Sequence, residues 1–216
     1  MTAPPAGRIE LVTPTGPATP EPRIKGSTIR EFAVWYEKRH GQAARVALGE
    51  GLPPALRELV WPEREGLGLA GTEWYAVSLV HHLLDSVAVT IGPEMPQLLR
   101  DATEQSVSRL TRGIYATLFR MVASPSLYSQ HVQRAWRLIH DTGTRRMVFL
   151  EPETIESTIE DWPGHHPWLC VIATETMRAV FLAMGCRDLR VDRTACVGRA
   201  PLRGPERCRA LVRFRT

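Results

Sequence analysis

From Ser124 to Thr216 the sequence divides into six short elements, and their order restricts the fold more than any other feature. Ser124-Pro125 sets a capping hydroxyl before a proline at the first helical position. Leu127, Tyr128, His131, Val132, Ala135, Trp136 and Ile139 then recur at helical spacing as far as His140, and Gly143 closes the segment. Residues 145–150 and 154–159 alternate as strands do. Pro167 opens a second helix carrying Leu169, Val171, Ile172, Met177, Val180, Phe181 and Met184, ended by Gly185. Residues 188–195 and 207–215 alternate again, with Leu189, Val191, Leu211 and Phe214 supplying apolar faces. Helix, two strands, helix, two strands predicts a small, mainly antiparallel sheet backed by the second helix.

The preceding part reads as helical. Thr28 and Glu31 have capping-box spacing, and Ile29, Phe32, Ala33 and Tyr36 share one helix face as far as Gly41. Pro53-Pro54 suits a short helix. Thr72 caps a longer one through Ile91, with Trp74, Val77, Val80, His81, Leu84 and Val87 on its apolar stripe, stopped by Gly92-Pro93. A further helix spans 96–121. The six prolines between Pro4 and Pro22 and the scarcity of large apolar groups there make residues 1–23 a flexible tail. Residues 24–216 form a single domain of the α+β class.

No run of about 18 apolar residues occurs, and the N-terminus is not that of a secretory signal. A cytoplasmic protein without a membrane span is expected. The charge of +4 is uneven: residues 187–216 hold nine arginines against Asp188, Asp192 and Glu206. Such an end suits either a solvated strand face or an acidic protein partner. Without a recognition motif it does not indicate nucleic acid.

Five stretches in the last 90 or so residues, in this order, carry a resemblance: SPSLYSQHVQRAWRLIHDTG, RRMVFLE, IEDWPGHHPWLC, a helix ending AMGC, and VDRTACVGRAPLRGPERCRALVRF. They resemble the vinyl reductase domain family. That ligand-binding fold is shared by aromatic-sensing transcription activators, haem-nitric-oxide-binding domains and TRAPP-type vesicle-tethering subunits. The resemblance implies a sensor or signalling adaptor rather than an enzyme, a homodimer, and a pocket between helices and sheet. The pocket would take a small apolar or aromatic molecule. Its candidate lining is Trp74, Tyr115, Phe119 and Trp136, with His165 of the DWPGHHP loop as a polar contact. That loop reads equally as a rigid connector whose tryptophans plug the core.

By spacing alone Cys170, Cys196 and Cys208 are weak metal evidence, because no Cys-x-x-Cys pair occurs and buried thiols often act as small hydrophobes. The resemblance implies a structural zinc on these three cysteines plus an acidic side chain. That side chain should lie three residues before the first hairpin cysteine, where this sequence has Arg193; Asp192 should face the opposite side of its strand. Zinc on three cysteines and three merely buried thiols both stay open. The haem-binding relatives carry Tyr-x-Ser-x-Arg, which is absent here, so haem is not expected. His81 and Asp85 share a helix face, yet no nucleophile motif accompanies them or His82. Two other readings remain: an interaction scaffold without ligand, and a haem-binding gas sensor.

Overall fold

A computed structural model of the chain describes residues 21–110, 124–196 and 207–216. Residues 1–20 of the tail, Tyr115, Phe119 and most of the lengthened hairpin loop lie outside the described residues, while residues 21–23 are ordered against residues 76–78. The class is α+β, as the element order predicts. The chain runs β1 (Arg23–Lys25), α1 (Gly26–His40), α2 (Gln42–Glu50), α3 (Pro54–Arg57), β2 (Trp74–Ala76), α4 (Val77–Ile91) and α5 (Met95–Leu110). It continues with α6 (Pro125–Arg137), β3 (Thr144–Glu151), β4 (Thr154–Glu160), α7 (Pro167–Ala183), β5 (Arg187–Ala195) and β6 (Arg207–Arg215). No helix among the described residues is long and apolar enough to cross a membrane.

The four C-terminal strands form one antiparallel sheet in the order β3-β4-β6-β5. Alternation in β6 sends Cys208, Ala210, Val212 and Phe214 inward, all buried, and the arginines between them outward. Leu211, expected on the apolar face, has the wrong parity and stays half-buried. Helix α7 covers the inner face, where Met177 and Phe181 pack on Ile155, Ala210, Val212 and Phe214. Helix α5 lies behind it, with Val107 against Ala179 and Val180 and Arg100 paired to Glu175. The second apolar core joins the N-terminal helices to Trp136, Trp162, Leu169 and three of the four cysteines.

Two expected helix starts move. Helix α1 begins at Gly26, ahead of Thr28, because the first amides find backbone acceptors: Gly26 donates to Glu73 O (2.8 Å) and Ser27 to Gly71 O (3.1 Å). Helix α4 begins at Val77, not after Thr72. Its first amides donate to Pro22 O (2.8 Å) and Glu21 Oε1 (3.0 Å), while Trp74 pairs with Lys25 in the small β1-β2 ribbon. Ser124 caps α6 as expected, accepting from Leu127 N at 3.2 Å.

The outer sheet face neutralises much of the basic C-terminus. Arg207 pairs with Glu160 (3.0 Å), Arg209 with Glu156 (3.2 Å), Arg213 with Asp192 (2.9 Å) and Arg215 with Asp188 (3.4 Å). These exposed pairs add little stability, about 0–1 kcal/mol each. They do remove much of the positive field that an acidic partner would meet.

Candidate metal centre

The loop 161–166 brings its histidines to the start of α7 and to the base of the β5-β6 hairpin. Trp162 anchors it. The indole is buried, edge-on to Trp136 (4.9 Å) and to His140 (5.0 Å), and Trp136 Nε1 donates to Thr142 O at 2.9 Å. Gly143 needs to be glycine here: φ is 81°, and a Cβ would stand 2.9 Å from Trp162 Cβ. Trp162 thus plugs the core, as the connector reading expects, while Trp168 is only half-buried against it.

Held by that anchor, the His165 ring lies between two buried thiols. Its Nε2 is 3.6 Å from Cys196 Sγ and its Nδ1 is 3.5 Å from Cys208 Sγ. His165, Cys196 and Cys208 each offer a ligand atom, all within 4.8 Å of one another. Cys170, in the first turn of α7, reaches the same place. Hydrogen bonding with Cys208, and then burial, push its thiol well above the ordinary range, while its contact with Cys196 and the charge of Arg193 oppose this. Burial lowers the His165 pKa, which favours the neutral imidazole that a metal requires. With the Cys170 thiol added to this group, the donors would be three sulfurs and one imidazole, the set of closed structural zinc sites.

The fourth donor is the residue that spacing missed. Arg193 pairs with Ala210 on the inner face, at the position where the resemblance implies an acidic ligand, but it is a cation. Asp192 points outward and is held by Arg213. His165 stands in their place. The doublet in DWPGHHP was a visible signal, but nothing in the order of residues says which sheet edge the loop meets.

The other candidates do not converge. Trp74 lies under the Lys25 ammonium (4.8 Å) in the β1-β2 ribbon. Trp136 belongs to the buried aromatic group with Trp162 and His140, not to a wall of aromatics around a cavity. Asp85 pairs with His166 Nε2 (3.2 Å) rather than with His81, whose Nε2 meets Gly164 O (3.1 Å). The rings of His81 and His166 stack at 4.7 Å. His166 Nδ1 accepts from Trp168 N (3.3 Å), so its lone pair caps α7 and is not available as a base.

His140, just beyond the end of α6, is buried and stacked on Trp136 at 3.8 Å. Burial first, and then the Arg145 charge, lower its pKa to about 3, against a weaker opposing effect of Asp141. The unfolded chain titrates it near 6.5. The stability from keeping it neutral is therefore complete above about pH 6.5 and is lost as pH falls towards 3, by up to ~1.4 kcal/mol per unit. His140→Phe is expected to flatten the acid side of the stability profile in urea titrations between about pH 6 and 4. An unchanged slope would contradict this assignment.

No protein-family model matches the sequence, and no curated protein does. Solved structures do match. The Fe(II) unliganded H-NOX protein from K. algicida is 12% identical, with 89% of this chain and 97% of that chain covered and a TM-score of 0.65. The H-NOX protein from S. oneidensis in the Fe(II)NO ligation state is 14% identical, covering 89% and 99%, with a TM-score of 0.60. A structure concerned with haem distortion in the H-NOX family is 12% identical, covering 89% and 95%, at 0.60. Over 89% of its length the chain shares the fold of these H-NOX proteins.

Proposed function

We propose that the chain is a non-catalytic small-molecule sensor or signalling adaptor, working as a homodimer, whose C-terminal hairpin is fastened to α7 by zinc on Cys170, Cys196, Cys208 and His165. The observation that carries the reading is the His165–Cys196–Cys208 group with the Cys170 thiol against it. A zinc there supplies cross-linking and no reaction. Cys170 ties the start of α7, Cys196 the end of β5, and Cys208 the start of β6. The fold shared with H-NOX proteins supports the sensing role, and the recess between α7 and the sheet is the place for a ligand.

A haem-based gas sensor is the second reading, favoured by the neighbours' fold. The described residues do not fit haem. An axial imidazole has to face a cavity, and all seven histidines are described. His81, His140, His165 and His166 are engaged as above, His40 lies against Tyr36 (4.6 Å), and His82 and His131 are exposed. Among the N-terminal helices Leu79, Leu83, Met95 and Leu99 are fully buried and fill the core.

The test is elemental analysis, visible spectroscopy and native mass spectrometry of the purified chain, with a thermal-shift screen of small aromatic and acidic compounds. One zinc per chain, a dimer mass, no haem band after incubation with haem, and at least one stabilising compound are expected. Stoichiometric haem would establish the second reading. A zinc-free chain would overturn the metal assignment, and silence across the screen would leave a scaffold.

A further inference from the structure

Arg145 lies on the inner face of β3 at 6% exposure, and no carboxylate of the described residues is within ion-pair distance of it. Its guanidinium makes one long hydrogen bond, from Nη2 to Ala173 O at 3.5 Å, and lies 5.8 Å from the Trp136 ring. The Nε is buried and has no acceptor among the described residues. Arginine stays protonated in proteins. A buried guanidinium without an anion therefore bears a desolvation cost with no compensating charge. The buried Arg45, by contrast, has Glu37 at 3.3 Å.

The side chain borders a small recess between α7 and the sheet. Arg193, Ser157 and Thr174 line it as well, with Cys170 and Cys208 at one end, and no aspartate or glutamate does. Ser157 is 4% exposed, and Thr174 already donates to Cys170 O at 2.8 Å. Arg193 is exposed and forms no ion pair with a described residue. Of the three arginines that line this space, Arg209 is paired with Glu156, while Arg145 and Arg193 have no carboxylate partner among the described residues.

We propose that this recess binds a small oxyanion, the carboxylate of a small molecule or an inorganic anion of similar size, held by the Arg145 fork with Arg193 at the mouth. Guanidinium donors match two oxygens of such a group. This deepens the sensor reading by naming the ligand class, while the binding geometry stands apart from any signalling role. It also accounts for Arg193 at the position where the resemblance implies an acid: the ligand set gains His165, and position 193 serves the recess. A rival account makes Arg145 the counter-charge of the thiolates. With three thiolates a zinc centre carries about one negative charge.

The experiment measures thermal unfolding of the zinc-loaded full chain in acetate, phosphate or sulfate against chloride at matched ionic strength. A rise of about 3 °C or more that grows with the logarithm of concentration is expected for at least one oxyanion and not for chloride. Arg145→Met is expected to abolish the rise at unchanged zinc content. Arg193→Gln, a surface change that leaves the fold intact, is expected to weaken binding about tenfold, and it decides the matter should Arg145→Met not fold. A response to acetate alone identifies a carboxylate ligand, and one to phosphate or sulfate alone an inorganic one; either supports the site. No oxyanion response, or a full response retained in both variants, overturns it. Zinc loss in Arg145→Met without any oxyanion response in the parent chain establishes the counter-charge account instead. A positive anion result stands even where the screen finds no signalling ligand, so the two readings fail separately.

Discussion

Cys208→Ser is expected to abolish zinc binding at the proposed centre and to lower the thermal midpoint by about 10 °C or more. Cys208 sits at the start of a central strand, buried, with His165 Nδ1 at 3.5 Å and the Cys170 thiol hydrogen-bonded to it. The substitution removes the sulfur that α7 and the loop 161–166 share. Apparent binding energies of structural zinc reach about 10–16 kcal/mol in small domains, where folding and binding are one event. Here two apolar cores persist without the metal, so the loss is a fraction of that. Cys186→Ala is the control: Cys186 is buried in the other core, beside Phe181 and Phe214, and its replacement keeps the zinc. Elemental analysis and calorimetry read both variants. A Cys208→Ser chain with full zinc, or with an unchanged midpoint, would contradict the assignment.

Trp136→Ala is the second large effect, about 3–5 kcal/mol, a fall of about 10 °C in a chain of this size. The indole joins α6 to the Thr142 carbonyl, stacks on His140 and meets Trp162 edge-on. Trp162 in turn packs against the His165 ring at 5.8 Å. Removing Trp136 opens a cavity and loosens the loop that presents His165, so zinc affinity falls together with stability. Trp136→Phe keeps the ring contacts and loses the hydrogen bond, at about 1 kcal/mol. Chemical denaturation with a zinc-competition titration separates the two effects. An alanine variant within 1 kcal/mol of the parent would sink this description of the core.

The sheet was legible because period-2 alternation and proline or serine starts are local signals: β3, β4, β5, β6, α6 and α7 stand within a few residues of where spacing puts them. The starts of α1 and α4 were not, because distant backbone carbonyls and Glu21 satisfy their first amides, and no side chain nearby records it. Three of the four proposed ligands followed from the resemblance. His165 did not, since its approach to Cys196 and Cys208 depends on a loop folded around Trp162. The idle guanidinium of Arg145 was equally hidden. Its isolation is a matter of which strands pair, and β3 places it inside while the acids of β4 face outward to Arg207 and Arg209.

X-ray absorption at the zinc edge of the purified chain, and of His165→Ala, tests the central claim most directly. The account predicts three sulfurs at about 2.3 Å and one nitrogen at about 2.0 Å in the parent, with the nitrogen's imidazole scattering lost in the variant. A shell without sulfur, or imidazole scattering unchanged in His165→Ala, would contradict it.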